Sequence, residues 1–190
     1  MSGATFQQRD ASMESVYDQK LIDGCRKGDR MAQKRLFELL SPKMYPLCIR
    51  YVGSGDVAKD VLQDGFVTLF SKIGSYRGEG AFEGWARKIF VNESLMYLRR
   101  NDALKLSEDL ETVSGLSSGS SSQVEDIGYK ELLAMIASLP PGFRTVFNLA
   151  VIEGMNHKDI GEALGISEVT SRSQLSRARL MLQKMIKERK

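Results

Sequence analysis

Histidine and cysteine are nearly missing from this 190-residue chain, which has one histidine, His157, and two cysteines, Cys25 and Cys48. A thiolate–imidazole zinc site takes about four such ligands. No C-x-x-C pair occurs, so neither a zinc finger nor a redox dithiol is expected. Two distant thiols cannot staple a disulfide framework and read instead as core thiols in a reducing cytosol. Long apolar runs are absent too: none approaches the roughly 18 residues that span a bilayer. The polar N-terminal stretch lacks the apolar segment of a signal peptide. The chain is therefore expected to be cytoplasmic, with no membrane insertion. Strand-like alternation is rare, whereas apolar residues recur at i, i+3 and i+4, which predicts an all-α fold. Neither a P-loop, paired histidine ligands, a nucleophile elbow nor a dinucleotide fingerprint is found. No catalytic residue, metal site or cofactor is assigned, and the chain does not read as an enzyme.

A large charge of one sign is also lacking. The formal net charge is only +3, so its distribution has to carry any argument about nucleic acid. Residues 101–127 contain six acids, Asp102, Glu108, Asp109, Glu111, Glu125 and Asp126, against the single base Lys105. They also contain a serine- and glycine-rich stretch from Ser114 to Ser122, too poor in apolar side chains to offset the entropy of ordering its backbone. This block is expected to be an acidic flexible linker. The two flanking blocks, 18–100 and 128–190, are then more basic than the whole. Each is expected to form a small helical bundle, with residues 1–17 a flexible extension. Nothing in the pattern fixes how the two bundles lie relative to each other.

Within the first block, Leu21, Ile22 and Cys25 mark one face of a short helix, and Gly28 can end it. Asp29 can cap the next helix, which buries Ala32, Leu36, Leu39 and Leu40. Ser41-Pro42 fits an N-cap with proline at the first helical position, and Pro46 is expected to kink or divide the segment to Tyr51. Helices are expected from about 56 to 73 and from about 82 to 100, with residues 74–80 as the loop between them.

The last block carries the most specific local signal, a helix-turn-helix. Asn156 can cap a helix with Asp159 as its partner, and Ile160, Ala163 and Leu164 form the apolar face. Gly161 permits close helix approach, Gly165 supplies a positive φ, and Ser167 caps a second helix. That second helix and its tail hold seven bases, Arg172, Arg177, Arg179, Lys184, Lys187, Arg189 and Lys190, against Glu168 and Glu188. Such a helix suits the major groove. Thr170, Arg172, Ser173 and Gln174 are candidate base readers beside Ser167, with Arg177, Arg179 and Lys158 on phosphates. Ser171 stands where an aliphatic residue is usual, and its hydroxyl is expected to bond back to the preceding turn. The alternative is an amphipathic hairpin with a solvated basic face.

Two further patterns lie in the first block. Asp60, Gln63 and Asp64 share one helix face, a carboxylate stripe that could receive a basic partner helix or simply be solvated. A metal held by Asp60 and Asp64 would need further ligands that are not evident. Tyr76, Arg77, Phe82, Trp85, Arg87 and Lys88 mix aromatics with bases, as single-stranded nucleic acid binding requires. Phe82, Trp85 and Ile89 also fit a helix core.

In this order, the pieces resemble the extracytoplasmic-function group of bacterial sigma factors. Asp60-x-x-Gln63-Asp64-x-Phe66 resembles the region-two motif, and Phe82-x-x-Trp85-x-x-x-Ile89-x-x-Asn92 the helix after the minus-ten loop. Region four is resembled by Leu139-Pro140, Arg144-x-x-Phe147, Glu153-Gly154-Met155, Ile160, Leu164-Gly165-Ile166-Ser167 and Ser173-x-Leu175-x-Arg177-Ala178-Arg179. Departures include Phe70, Ser171 and Gln174.

The resemblance implies docking on the largest-subunit coiled coil of core RNA polymerase through Asp60, Gln63, Asp64, Phe66 and Leu69. It implies minus-ten DNA contact through Tyr76, Arg77, Phe82, Trp85, Arg87, Lys88 and Asn92, with a flipped base held by the loop 74–81. The minus-thirty-five duplex would meet Lys158, Ser167, Thr170, Arg172, Ser173, Gln174, Arg177 and Arg179. It further implies an anti-sigma partner, with the free protein a monomer. The rival reading is another helix-turn-helix regulator with an N-terminal sensing domain.

Overall fold

The computed structural model describes residues 17–101 and 124–188. Eight α-helices carry it: α1 Gln19–Arg26, α2 Arg30–Val52, α3 Gly55–Lys72, α4 Phe82–Arg100, α5 Val124–Ser138, α6 Pro141–Phe147, α7 His157–Leu164 and α8 Glu168–Lys187. Ile73–Ser75 form a 3-10 turn after α3, and Asn148–Ile152 extend α6 as a π-helical turn. Among the described residues there is no strand, and no helix is long and apolar enough to cross a membrane. Two of the expected boundaries shift. Helix α5 begins at Val124, inside the stretch expected to be linker, and Tyr17, expected to belong to a flexible extension, packs against Phe82. The rest of the linker and of the extension lies outside the described residues.

Caps set the early boundaries as the sequence implies. The Asp18 side chain accepts from Leu21 N at 2.7 Å, and Asp29 accepts from Met31 N at 2.7 Å and Ala32 N at 3.1 Å. Helix α2 departs from expectation. It runs unbroken through Pro42 and Pro46 rather than restarting at Ser41. The Ser41 hydroxyl donates to the Phe37 carbonyl at 2.7 Å instead of capping a new helix. An internal proline costs about 3 kcal/mol. Leu36, Leu40, Met44, Leu47, Cys48 and Tyr51 lie on one face of α2 and are each no more than 1% exposed. Burying each such side chain stabilises by about 1.5–3 kcal/mol, so tertiary packing outweighs both prolines. The same burial explains the cysteines, since desolvation pushes the Cys48 thiol up to about 12.

Helices α2, α3 and α4 form the N-terminal bundle, with Phe66, Leu69, Phe90, Leu95 and Leu98 buried between them. Gly65 sets the α3–α4 spacing, because a Cβ there would sit 2.3 Å from Phe90 Cδ1. We expect Gly65→Ala to lower stability by about 1–3 kcal/mol despite the better helix propensity of alanine. A thermal melt checks it; an unchanged or raised midpoint would show that the helices have slack there.

Helices α5 and α6 pack on α2, so the two bundles touch, and Val146, Leu149, Ile160 and Leu175 join the N-terminal core. A second, smaller cluster of Ile136, Leu139, Ala178 and Leu182 belongs to the C-terminal bundle. At the junction Arg144, 6% exposed, donates Nε–H to the Tyr51 carbonyl at 2.8 Å and Nη1 to the carbonyls of Leu139, at 3.1 Å, and Ala137. Asn148 Nδ2 donates to the Arg50 carbonyl at 2.8 Å. The last turns of α2 and α5 thus have carbonyls satisfied by α6 and its extension.

Candidate nucleic-acid interface

Helix α3 turns Asp60, Gln63 and Asp64 to solvent as one stripe. The other two residues assigned to docking, Phe66 and Leu69, are 4% and 0% exposed. The Phe66 ring packs 4.6 Å from Phe37 and 5.1 Å, edge-on, from Phe90. These two side chains therefore hold the stripe from behind rather than meeting a partner. Two exposed apolar residues beside the stripe escaped the sequence reading: Val67 at 64% and Phe37 at 45%. Val67 was legible, since it continues the Asp60–Gln63–Asp64 spacing by one more turn. Phe37 lies on another helix, and nothing local marked it.

The loop after α3 is held by its own rings and by one unanticipated arginine. Arg26 of α1 donates to the carbonyls of Ile73 and Tyr76. The Tyr76 hydroxyl donates to the Gly80 carbonyl at 2.7 Å, and Gly78 and Gly80 both have positive φ, at 80° and 75°. The rings of Tyr76, Phe82 and Trp85 lie 5.1–5.4 Å apart as a three-ring cluster. Tyr76 and Phe82 are buried and Trp85 is half-buried, whereas Arg77, Lys88 and Asn92 are exposed. A groove of about 670 Å³ opens between Tyr17, this loop and the start of α4.

Arg87 also lines that groove, and it is not free. Its Nε and Nη2 donate to the two carboxylate oxygens of Glu153 at 2.7 and 2.6 Å. This bidentate pair joins α4 to the residue just after the π turn, with side chains 33% and 13% exposed. The Glu153 bond raises the Arg87 pKa above the ordinary arginine value. Burial, and next the Arg87 charge, lower that of Arg50. Further along α4, Arg99 donates to the Ala163 carbonyl of α7.

The C-terminal bundle has the helix-turn-helix geometry that its sequence implies. The Asn156 side chain accepts from Asp159 N at 2.9 Å and donates Nδ2–H to Asp159 Oδ2 at 2.8 Å. Gly165 has φ 70°, and Ser167 Oγ accepts from Thr170 N at 2.9 Å. A Cβ on Gly161 would stand 2.7 Å from the Ile166 carbonyl oxygen, so only glycine permits this turn to fold back so closely. Helix α8 buries Leu175, Ala178 and Leu182 and exposes Arg172, Ser173, Arg177 and Arg179, with Thr170 half-buried. Lys158 and Ser167 are exposed beside them. Gln174 is 8% exposed, which sets it behind the exposed face of α8. Ser171 is fully buried, and its hydroxyl pairs with His157 Nδ1 at 2.9 Å rather than bonding back along its own helix. That partner comes from the first helix of the motif, a contact no local pattern could have signalled. Arg189 lies outside the described residues.

Chemically, the C-terminal surface offers guanidinium and hydroxyl donors on a helix narrow enough for a major groove. The loop and α4 offer rings beside cations. Among the described residues no group of three or more His, Cys, Asp or Glu side chains could hold a metal ion.

The family described as Sigma-70 region 2 matches residues 36–104, and that described as Sigma-70, region 4 matches residues 129–182. The chain is 30% identical over 184 residues to the ECF RNA polymerase sigma-E factor of Haemophilus influenzae, covering 91% of this chain and 97% of that one. It is also 30% identical over 177 residues to the sigma-E factor of Escherichia coli K12, covering 87% and 92%. Among solved structures, the sigma factor RpoE, in complex with the anti-sigma factor NepR from Bartonella quintana, is similar at TM-score 0.49 and 23% identity, over 81% of this chain and 96% of that one. Similar to curated sigma-E factors along nearly its whole length, the chain belongs to the ECF RNA polymerase sigma factors and directs transcription initiation.

Proposed function

We propose that residues 18–100 are the part that docks on core polymerase and opens the minus-ten element, and residues 128–190 the part that reads the minus-thirty-five element. The observation that carries this is α8: entered through the Gly165 turn and the Ser167 cap, it exposes Arg172, Ser173, Arg177 and Arg179 over a buried apolar face. In this arrangement Arg172, Ser173 and Thr170 meet base edges of duplex DNA, and Arg177, Arg179, Lys158 and Ser167 meet phosphates. Gln174, almost buried, supports the readers. The Arg172–Glu168 pair is exposed, so DNA can displace it at little cost.

On the other bundle, Asp60, Gln63 and Asp64 face the largest-subunit coiled coil, with Val67 beside them and Phe66 and Leu69 beneath. The exposed bases Arg77 and Lys88, with Asn92, follow the separated minus-ten strand. Trp85 provides a stacking surface that Tyr76 and Phe82 keep rigid, and the loop 74–81 takes the flipped base. Arg87 contributes only when released from Glu153. The protein makes and breaks no bond, and it works in the cytoplasm beside the polymerase. The linker, which lies mostly outside the described residues, tethers two weak DNA sites so that each raises the effective concentration of the other. Family membership also suggests an anti-sigma partner covering both surfaces.

The test is multi-round transcription from a promoter library with core polymerase, with and without the protein. Transcripts that share two spaced upstream elements are expected only with it. Asp64→Ala should lower output from every promoter, whereas Arg172→Ala should change choice at the upstream element alone, at a cost of about 1–3 kcal/mol per lost base contact. Uniform loss with Arg172→Ala, or full activity with Asp64→Ala, would overturn these assignments.

A further inference from the structure

Helix α1 is a ridge between two grooves. On one flank Gln19 and Ile22 line the groove beside the loop 74–81. On the other, Lys20, Leu21 and Lys27 line a second groove of about 990 Å³, shared with Arg35 from the start of α2. Small residues bring the two helices together there, since a Cβ on Gly24 would stand 2.8 Å from Ala32 Cβ. Lys20, Lys27 and Arg35 are exposed, and among the described residues no carboxylate pairs with any of the three. The acids around them are engaged. Asp18 and Asp29 cap α1 and α2, where the positive helix ends offset their charge. Asp23 accepts from Arg26 and from Gln19, both at 2.8 Å, and Glu38 lies 4.0 Å from Lys34. Three cations without partners thus converge on one concavity. No aromatic ring lines it, so it offers nothing on which a base could stack.

We infer that this second groove binds the phosphate backbone of the melted non-template strand where it continues downstream of the minus-ten element, an inference that rests on the minus-ten role proposed above. Cations without rings hold a DNA backbone and read no sequence. The fold supplies the direction. The C-terminal bundle, which takes the upstream duplex, packs at the last turns of α2, where Arg144 and Asn148 bond the carbonyls of Tyr51 and Arg50. The second groove lies at the first turns of the same 23-residue helix, which is about 34 Å long by its rise per residue. The groove beside the loop 74–81 bridges the two ends: Arg87, bonded to Glu153, lines it on one side, and Gln19 and Ile22 of α1 on the other. DNA running from the C-terminal bundle through the minus-ten groove therefore leaves across α1, into the reach of Lys20, Lys27 and Arg35. Arg26 ties the ridge to the loop through the carbonyls of Ile73 and Tyr76, so the two grooves keep a fixed relation.

The experiment separates the two. Holoenzyme formed from core polymerase and the full chain is titrated, over a range of salt, with two labelled non-template strands. One ends at the last minus-ten base, and the other carries several further nucleotides downstream. On single strands the slope of log affinity against log salt is about 0.7 per neutralised phosphate. The triple variant Lys20→Gln, Lys27→Gln, Arg35→Gln should therefore bind the longer strand with a slope shallower by about 2 and the shorter strand as the wild type does. Scrambling the added bases should change neither result. Methylphosphonate links in the added segment remove charge from the DNA without altering the protein. They should cost the wild type more than the triple variant, because contacts to core are lost in both and the groove's contacts only in the wild type. An unchanged slope in the triple variant, equal loss on both strands, or an equal methylphosphonate cost in both proteins would overturn the inference and leave the minus-ten assignment standing. So would a loss confined to templates extended upstream as duplex. Failure of the wild-type holoenzyme to bind either strand would overturn both.

Discussion

Arg144→Ala is expected to destabilise the protein by about 3–5 kcal/mol, from buried carbonyls left without donors at about 1–3 kcal/mol each and from the cavity left by the stem. The reason is the unusual way this guanidinium is satisfied. Among the described residues no carboxylate pairs with it; instead it bonds the carbonyls of Tyr51, Ala137 and Leu139, two of them in the last turns of α2 and α5. Burial lowers its pKa to about 10, so it remains a cation at neutral pH, where the negative ends of two helix dipoles favour it. Alanine would leave three buried carbonyls short of donors and a cavity where the stem had been. Gly53 confirms how closely the site is built: a Cβ there would lie 2.3 Å from Arg144 Nη1, and its φ is 76° besides. Each kcal/mol shifts the melting midpoint of a chain this size by about 2–4 °C, so a loss on the order of 10 °C is expected. Arg144→Met, which restores the stem but not the donors, should recover only a minor part, and Arg144→Lys little more, because one ammonium cannot span three acceptors. Calorimetry on the three variants decides it. A shift under about 2 °C for Arg144→Ala would mean that the interior tolerates those carbonyls unpaired.

Arg144 also marks the limit of what the sequence discloses. It stands in the stretch Arg144-x-x-Phe147, legible as a landmark of resemblance, but its task is set by carbonyls of α2 and α5, and backbone oxygens leave no trace in residue identity. Arg26, which holds the Ile73 and Tyr76 carbonyls, was silent for the same reason. By contrast α4 was readable to its ends, Phe82 and Arg100, because a glycine-rich loop precedes a long run of helix-period apolar residues. The α7–α8 turn was readable because Asn156, Gly165 and Ser167 each act on their immediate neighbours. The two prolines of α2 misled, since their local preference is real but is outweighed by a face of six buried side chains that only the folded bundle supplies. In the site, exposure was the hidden variable. Spacing put Asp60 and Asp64 on one face but could not tell that Phe66, Leu69 and Gln174 point inward.

Removing the Glu153 charge, as in Glu153→Gln, is expected to loosen the two bundles and to strengthen binding of minus-ten single strands by the free protein. Glu153 faces two guanidiniums, Arg87 through two short bonds and Arg50 through its field. Arg50 Nε and Nη2 are buried without a partner, so the carboxylate is what compensates this pair of like charges. The glutamine keeps the shape, offers one neutral acceptor where there were two charged ones, and leaves Arg50 and Arg87 to repel. A hydrogen bond to a charged group contributes about 1.5–3 kcal/mol, discounted here because the Arg87 side chain is one-third exposed. Arg87 lines the groove beside the loop 74–81, so in the proposed minus-ten complex a DNA phosphate would compete with Glu153 for one guanidinium. Freeing it should raise affinity for a minus-ten oligonucleotide about tenfold, since each 1.4 kcal/mol is a factor of ten. Arg87→Ala should loosen the junction equally yet weaken DNA binding, and that opposite sign separates loss of the contact from loss of the ligand. Small-angle scattering reports the first effect as a larger radius of gyration, and fluorescence anisotropy reports the second. Equal affinity in wild type and Glu153→Gln, with the radius unchanged, would mean that van der Waals and apolar contacts between α2, α5 and α6 hold the bundles together without help from the ion pair.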